Sequence, residues 1–251
     1  TTDCIASGLD GDNVSYCIQS KSISELATLI IICNNLISFS QLSQIQPIKK
    51  ILTSQATNIP FSDLAFPIIQ SAEIIATKSS ELYSNNDNLG VISLASKMSR
   101  SITGLTNLKL PIPRLKHGIL PNLRGIDKRK MSYANTNFIS IIDSPKEIEN
   151  KVFRIRTDPI NATLDLTLPA DLTLVLEYCR VFGCTDDEIN EFRSEYSYGK
   201  TTALEIKKIL VIKITDYLLP IKEKREYLLK TQYDKIWERI KEDTENMCHL
   251  L

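Results

Sequence analysis

With 251 residues, 43% of them hydrophobic, the chain is long enough for one large domain, or a domain with a satellite, around a buried core. Thirty Lys plus Arg balance 30 Asp plus Glu, so the total charge excludes a general attraction to nucleic acid or to an anionic membrane and leaves only local patches. No segment approaches the roughly twenty apolar residues of a membrane span. The apolar run over residues 26–33 is broken by Thr28 and ended by Asn34-Asn35.

Cys4, Cys17, Cys33, Cys179, Cys184 and Cys248 form no CxxC pair, and His117 and His249 are the only histidines. A zinc site therefore lacks ligands at sensible spacing, and a His-activated nucleophile has little support. Cys17 and Cys33, set among apolar neighbours, are expected in the core. Reduced thiols and an intracellular location, cytoplasm or mitochondrial matrix, are expected. The first residues read as neither a signal peptide nor an Arg-rich presequence.

In chain order, residues 14–19 follow the turn at Gly8, Asp10 and Gly11, carry β-branched and aromatic types, and predict a strand. A helix is expected over residues 24–35. A second opens at Asn58-Ile59-Pro60-Phe61 and contains Pro67, which ordinarily kinks or breaks a helix. An apolar pattern at Leu89, Ile92, Leu94, Met98 and Ile102 predicts a third. Pro111, Pro113 and Pro121 punctuate a connection over residues 108–123.

That connection leads to a run rich in cations: Arg114, Lys116, His117, Arg124, Lys128, Arg129 and Lys130. It reads either as a solvated basic turn or as a phosphate patch. Then Asp143-Ser144-Pro145-Lys146-Glu147 forms a helix start, with Ser144 as N-cap, Pro145 at the first helical position and Glu147 completing a capping box. Beyond Pro159 the chain turns helical, over residues 171–182, 185–192, 203–219 and 221–247, with Gly183, Gly199 and Pro220 as breaks. The 203–219 helix carries apolar residues on more than one face and is expected at the centre of a helical domain.

Lys128-Arg129-Lys130-Met131-Ser132-Tyr133-Ala134, an apolar stretch, Asp143-Ser144-Pro145 and Thr157-Asp158 occur in an order that resembles the KMSKS loop and following helix of tryptophanyl-tRNA synthetases, a class I family. Three further segments are similar to that family. Gly8-Leu9-Asp10 with Cys17-Ile18-Gln19-Ser20 resembles its G-L-D-P segment and the Q-S that follows. Phe66-Pro67-Ile68-Ile69-Gln70-Ser71-Ala72-Glu73-Ile74-Ile75 resembles Y-P-V-L-M-A-A-D-I-L, proline included. Tyr198-Gly199 and the residues after it resemble the C-terminal domain.

The resemblance implies an α/β fold: an incomplete Rossmann-like parallel sheet flanked by helices, followed by an all-helical C-terminal domain. The division is expected as a partial core over residues 1–143 and helices over 144–251. It also implies ATP phosphate binding at Lys130, Met131 and Ser132, and an amino-acid pocket at Gln70, Glu73 and Asp87, where Gln70 and Glu73 stand at the family's methionine and aspartate positions. Gln70 and Glu73 read equally well as an exposed i, i+3 pair. An RNA or phosphate patch is expected at Arg114, Lys116, Arg124, Lys128 and Arg129.

Departures from the family bear on the chemistry. Tyr133 and Ala134 replace the second lysine and last serine of the loop, and no H-I-G-H segment occurs. Activation expels pyrophosphate from ATP, so the loop must stabilise charge on the leaving phosphates. A tryptophan-tRNA ligase-like protein, weak or inactive by itself and binding RNA or a protein partner, is the first expectation. The alternatives are a genuine ligase fragment using ATP with Mg2+, whose ATP-binding part lies elsewhere, and a structural subunit of a ribonucleoprotein. No metal site in the protein is expected. A homodimer or a hetero-partner is expected to cover the apolar surface of the 24–35 helix.

Overall fold

The computed structural model describes residues 1–54, 58–118, 123–157 and 172–248. Along the chain lie α1 (Thr2–Ala6), α2 (Ile23–Asn35), α3 (Phe39–Leu42), α4 (Gln46–Thr53), α5 (Phe61–Ala76), β1 (Glu81–Tyr83), α6 (Leu89–Leu105), β2 (Arg114–Lys116), α7 (Pro145–Phe153), α8 (Leu172–Val181), α9 (Asp186–Ser197), α10 (Ala203–Thr231) and α11 (Tyr233–Cys248). Among the described residues, no helix is long and apolar enough to cross a membrane. The chain forms two compact units.

One unit holds residues 15–121 and 237–251. Among the described residues its sheet is a single parallel pair, β1 with β2, in the register Glu81 to Arg114 and Tyr83 to Lys116. Parallel strands need a crossover, and α6 supplies it, giving a β-α-β unit. The α6 face made by Val91, Leu94, Ala95, Met98 and Ile102 packs with Ile68, Ala72 and Ile75 of α5 and with Leu26 and Cys33 of α2. Pro67 does not interrupt α5, which runs unbroken for 16 residues with Pro67 itself buried; the Ser71 hydroxyl donates to the Pro67 carbonyl at 2.7 Å.

The strand expected over residues 14–19 is not formed. Tyr16 N–H donates to Asp243 Oδ2 at 2.9 Å and Ile18 N–H to the Thr244 hydroxyl at 3.0 Å. Side chains of α11 thus take donors that a neighbouring strand would otherwise have to satisfy. A cationic Arg239 lies 5.8 Å from the Tyr16 ring centroid. Cys17 on this segment is exposed, contrary to the expected core position, while Cys33 is fully buried.

The other unit holds residues 1–14 and 122–236. Its core joins Ile126, Ile148, Val152 and Ile155 to Leu174, Val175, Tyr178 and Cys179 of α8 and to Ile206, Leu210, Ile214 and Leu218 of α10. These last four recur every fourth residue and form one buried stripe. Leu204, Ile212, Tyr217 and Leu219 are exposed, so α10 buries one face rather than several.

Pro220 does not end this helix as expected. It continues to Thr231 because core side chains lie on both sides of the proline, with Leu218 and Leu228 buried, against the roughly 3 kcal/mol a helix-interior proline costs. The expected capping box at Ser144 is present, and Thr185 and Thr202 make the same arrangement with Glu188 and Glu205.

Candidate functional site

The basic loop is built from residues 123–143, between a core anchor and the start of α7. Ile126 is buried, and Leu123, Met131, Ile139 and Ile141 pack against the same core, so the loop is pinned at intervals along its length. Tyr178 of α8, also buried, donates its hydroxyl to the Arg124 carbonyl at 2.8 Å. Burial pushes the Tyr178 phenol up to about 12, and it stays a donor at neutral pH. Arg124 Nη2 sits 3.3 Å from Glu177 Oε1, one residue away on α8.

A single buried side chain organises the tip. Asn137, 3% exposed, donates from Nδ2 to Asp127 Oδ1 at 2.7 Å and to the Lys130 carbonyl at 3.0 Å. Its Oδ1 accepts from Ser132 N–H at 2.9 Å, and its carbonyl accepts from Ile126 N–H at 2.9 Å. The Asn137 amide, and next the Arg129 backbone N–H, hold the Asp127 carboxyl below its ordinary range. Asp127 Oδ1 accepts from Arg129 N–H at 3.0 Å, while Gly125 N–H donates to the Arg129 carbonyl at 2.7 Å.

Two non-glycine residues of the loop take left-handed backbone, Lys128 at φ 68° and Thr136 at φ 46°. Each such residue costs roughly 1–2 kcal/mol, and the hydrogen bonds around Asn137 offset that cost. Neither Asn137 nor Gly125 was singled out from the sequence. The available signal was a polar run, Asn135-Thr136-Asn137, next to the apolar run that starts at Phe138.

Lys130 and Arg129 are exposed, Lys128, Met131 and Ser132 half-buried. The Ser132 hydroxyl accepts from Ala134 N–H at 3.1 Å. Tyr133 is 90% exposed, and its ring meets Phe138 edge-on at 5.2 Å and 71°. Below the loop, Asp143 accepts from Ser140 N–H at 2.7 Å and pairs with Lys151 of α7 at 2.5 Å. The loop brings Arg124, Lys128, Arg129 and Lys130 into one segment. Arg114 and Lys116 of the expected patch belong to the other unit, on β2, where Lys116 pairs with Glu81 at 2.7 Å.

The residues expected in an amino-acid pocket also belong to that second unit. Gln70 and Glu73 share a face of α5, and both are half-buried rather than an exposed pair. Gln19 Nε2 donates to Glu73 Oε1, and burial pushes the Glu73 carboxyl up. Gln19 was read only as part of a motif, and its partnership with Glu73 spans 54 positions. Asp87 is exposed in the single turn over residues 86–88, its N–H donating to Asn85 Oδ1 at 3.2 Å. Among the described residues no group of three metal-ligating side chains occurs.

Chemically, the loop presents consecutive cations on a preorganised backbone, suited to phosphate oxygens, and no histidine or carboxylate placed as a general base. Asp158 of the motif lies outside the described residues.

Comparison with known proteins places this geometry. The tryptophan–tRNA ligase of Borreliella burgdorferi is 30% identical over 245 residues, covering 96% of this chain and 70% of that protein. The tryptophan–tRNA ligase of Chlamydia caviae is 30% identical over 253 residues, covering 99% and 72%. In three dimensions, tryptophanyl-tRNA synthetase from Campylobacter jejuni, solved with ADP and tryptophan, superposes with a TM-score of 0.74 at 17% identity, covering 99% of this chain and 77% of that one. The family described as tRNA synthetases class I (W and Y) matches residues 1–218. The chain belongs to the tryptophanyl-tRNA synthetase family of the class I tRNA synthetases.

Proposed function

We propose that this chain is a tryptophan–tRNA ligase-like protein whose 251 residues activate tryptophan weakly or not at all by themselves and whose retained scaffold binds RNA. In activation, a carboxylate oxygen attacks the α-phosphorus of ATP, the bond to the β-phosphate breaks, and pyrophosphate leaves with added negative charge. The observation that carries the reading is Tyr133. Where the family resemblance expects a second ammonium, a neutral phenol stands 90% exposed. Lys130 remains, held through its carbonyl by Asn137, with Ser132 beside it.

The described residues offer no three-ligand cluster for Mg2+, so a magnesium ion would arrive on the triphosphate. On α5 the half-buried Glu73, tied to Gln19, gives the amino-acid pocket a longer carboxylate that burial already disfavours as an anion. On α2, Ile23 and Ile31 are 66% and 64% exposed, which supports a second copy of the chain as the partner that covers them.

A second reading, a ligase fragment that works with an ATP-binding part outside these residues, is favoured by the survival of Lys130-Met131-Ser132 in an ordered loop. Tryptophan-dependent exchange of pyrophosphate into ATP tests the first. The expected result is no exchange above background by the purified chain. Exchange that disappears in Lys130→Ala would overturn the first reading, because the loop would then still hold the leaving pyrophosphate.

A further inference from the structure

Within the unit that holds residues 15–121, α2, α5 and α6 leave a cleft of about 240 Å3 between them. Its floor is aliphatic. Leu29 of α2, Leu36 at the end of that helix, Ile75 of α5, Ile102 of α6 and Leu110 of the following connection line it. Ile75 and Ile102 are buried, whereas Ile32 and Leu108, which also line it, are 43% and 59% exposed and form its mouth. None of Gln70, Glu73 and Asp87 lines the cleft, and the basic loop belongs to the other unit.

The walls are held by hydrogen bonds. Thr106, the C-cap of α6, donates its hydroxyl to the Ile102 carbonyl at 2.8 Å and accepts from Leu108 N–H at 3.2 Å. Leu110 N–H donates to the Thr103 hydroxyl at 3.3 Å, so the segment after α6 is tied back to the helix twice. At the end of α5, Lys78 takes left-handed backbone at φ 48°, and its N–H donates to the Ile75 carbonyl at 2.9 Å. Walls fixed in this way relax only partly into an empty space, which therefore persists.

The polar groups of the lining decide what can fill that space. The Thr28 hydroxyl donates to the Ser24 carbonyl at 3.3 Å, and Thr106 is used as described. Glu25 accepts from the Ser24 hydroxyl at 2.6 Å, and Lys78 is engaged as well. These two are the charged groups of the lining, and their opposite signs cancel. A charged ligand would give up its hydration where the polar groups are already in use. An apolar one gives up nothing and takes aliphatic surface out of water.

We propose that this cleft binds a compact, neutral, apolar ring compound of two fused rings. The size follows from the volume: an aliphatic cavity of about 150 Å3 takes a single benzene ring, and 240 Å3 leaves room for a second. The site lies beyond the ligase-like reading and does not depend on it.

The test uses the full chain, isotopically labelled at its isoleucine methyl groups, with naphthalene as the ligand. Titration should shift the methyl signals of Ile32, Ile75 and Ile102 to a saturating limit and leave Ile206 and Ile214, in the core of the other unit, in place. Naphthalene sulfonate, the same rings with a fixed charge, should bind at least about tenfold more weakly. Leu108→Asp puts a carboxylate at an exposed position of the mouth and should weaken naphthalene by at least about tenfold. Ile23→Ser, at an exposed position of α2 outside the cleft, should bind as the parent does.

The proposal is overturned if the three methyl signals do not shift up to the solubility limit of naphthalene, or if the sulfonate binds equally well. Equal binding by Leu108→Asp, or equal weakening by Ile23→Ser, would also overturn it. Shifts of the same signals with protein concentration alone would assign the cleft to a second copy of the chain instead. The titration of the parent needs no variant, so it decides the matter even where a variant fails to fold.

Discussion

Gly125 and Asn137 approach so closely that a Cβ on the glycine would lie 2.4 Å from Asn137 Nδ2 and 2.5 Å from its carbonyl oxygen. The Gly125 backbone needs no left-handed conformation; what it needs is an empty volume. Asn137 fills that space with an amide whose every polar atom is used, so the loop can be tight only because residue 125 has no side chain.

Gly125→Ala is therefore expected to destabilise the unit by about 1–3 kcal/mol, the usual cost of overpacking. Both contacts involve a locked amide and backbone rather than the end of a flexible chain. Asn137→Ala leaves the Ser132 N–H and Lys130 carbonyl without their partner and should cost about 1–3 kcal/mol. Urea unfolding gives the magnitudes. Trypsin cleavage after Lys128, Arg129 or Lys130 should also accelerate in Asn137→Ala, and unchanged cleavage would show that the loop is held by something else.

Acid sensitivity should trace in part to the three capping boxes closed by a glutamate. Glu147 is held below its ordinary value of 4.5 by the Ser144 hydroxyl and amide, and Glu188 and Glu205 by the amides and hydroxyls of Thr185 and Thr202. A carboxylate depressed in the folded state stabilises it fully above the unfolded pKa and loses that contribution as pH falls through the folded one. The triple Glu→Gln variant keeps the capping geometry without the titration. Its melting temperature should fall less than the parent's from pH 5 to pH 3, roughly the window of a depressed carboxylate. Parallel curves would contradict this assignment.

Lys207 is buried on α10, and its ammonium donates to the Ile155 carbonyl at 2.6 Å, just past the end of α7. Desolvation lowers its pKa, so the charge is kept at a cost that the carbonyl contact offsets. Lys207→Met keeps the apolar stem and deletes the cap, leaving carbonyl oxygens without their donor, and should cost about 1–3 kcal/mol. If Lys207→Met matches the parent in urea, the lysine contributes only its stem.

Thiol reactivity should divide by burial. Burial pushes Cys33 up to about 11 and raises Cys179 and Cys184, whereas Cys4 and Cys17 are exposed. The thiolate is the reacting form, so alkylation near pH 8 should label Cys4 and Cys17 first and leave Cys33, Cys179 and Cys184 until the chain unfolds. Peptide mapping after a short exposure checks this. Early labelling of Cys179 would mean that the α8 region opens without global unfolding.

What the sequence by itself determined is what neighbouring residues settle among themselves. Ser144 with Pro145 and Glu147 specifies a helix start within four positions, and the structure forms it. The family resemblance of the basic loop and of the segment around Pro67 was equally legible, because both are contiguous. Only the tertiary structure decided matters resting on distant partners. The 14–19 segment has strand composition, yet Tyr16 and Ile18 give their N–H groups to Asp243 and Thr244, more than 220 positions away. Pro220 looks like a break until Leu218 and Leu228 are seen buried on either side of it. Asn137 looks like a loop residue until Gly125 and Asp127 close on its amide. Local propensities cost or gain about a kilocalorie per mole each, and burial of side chains and satisfaction of buried polar groups outweigh them.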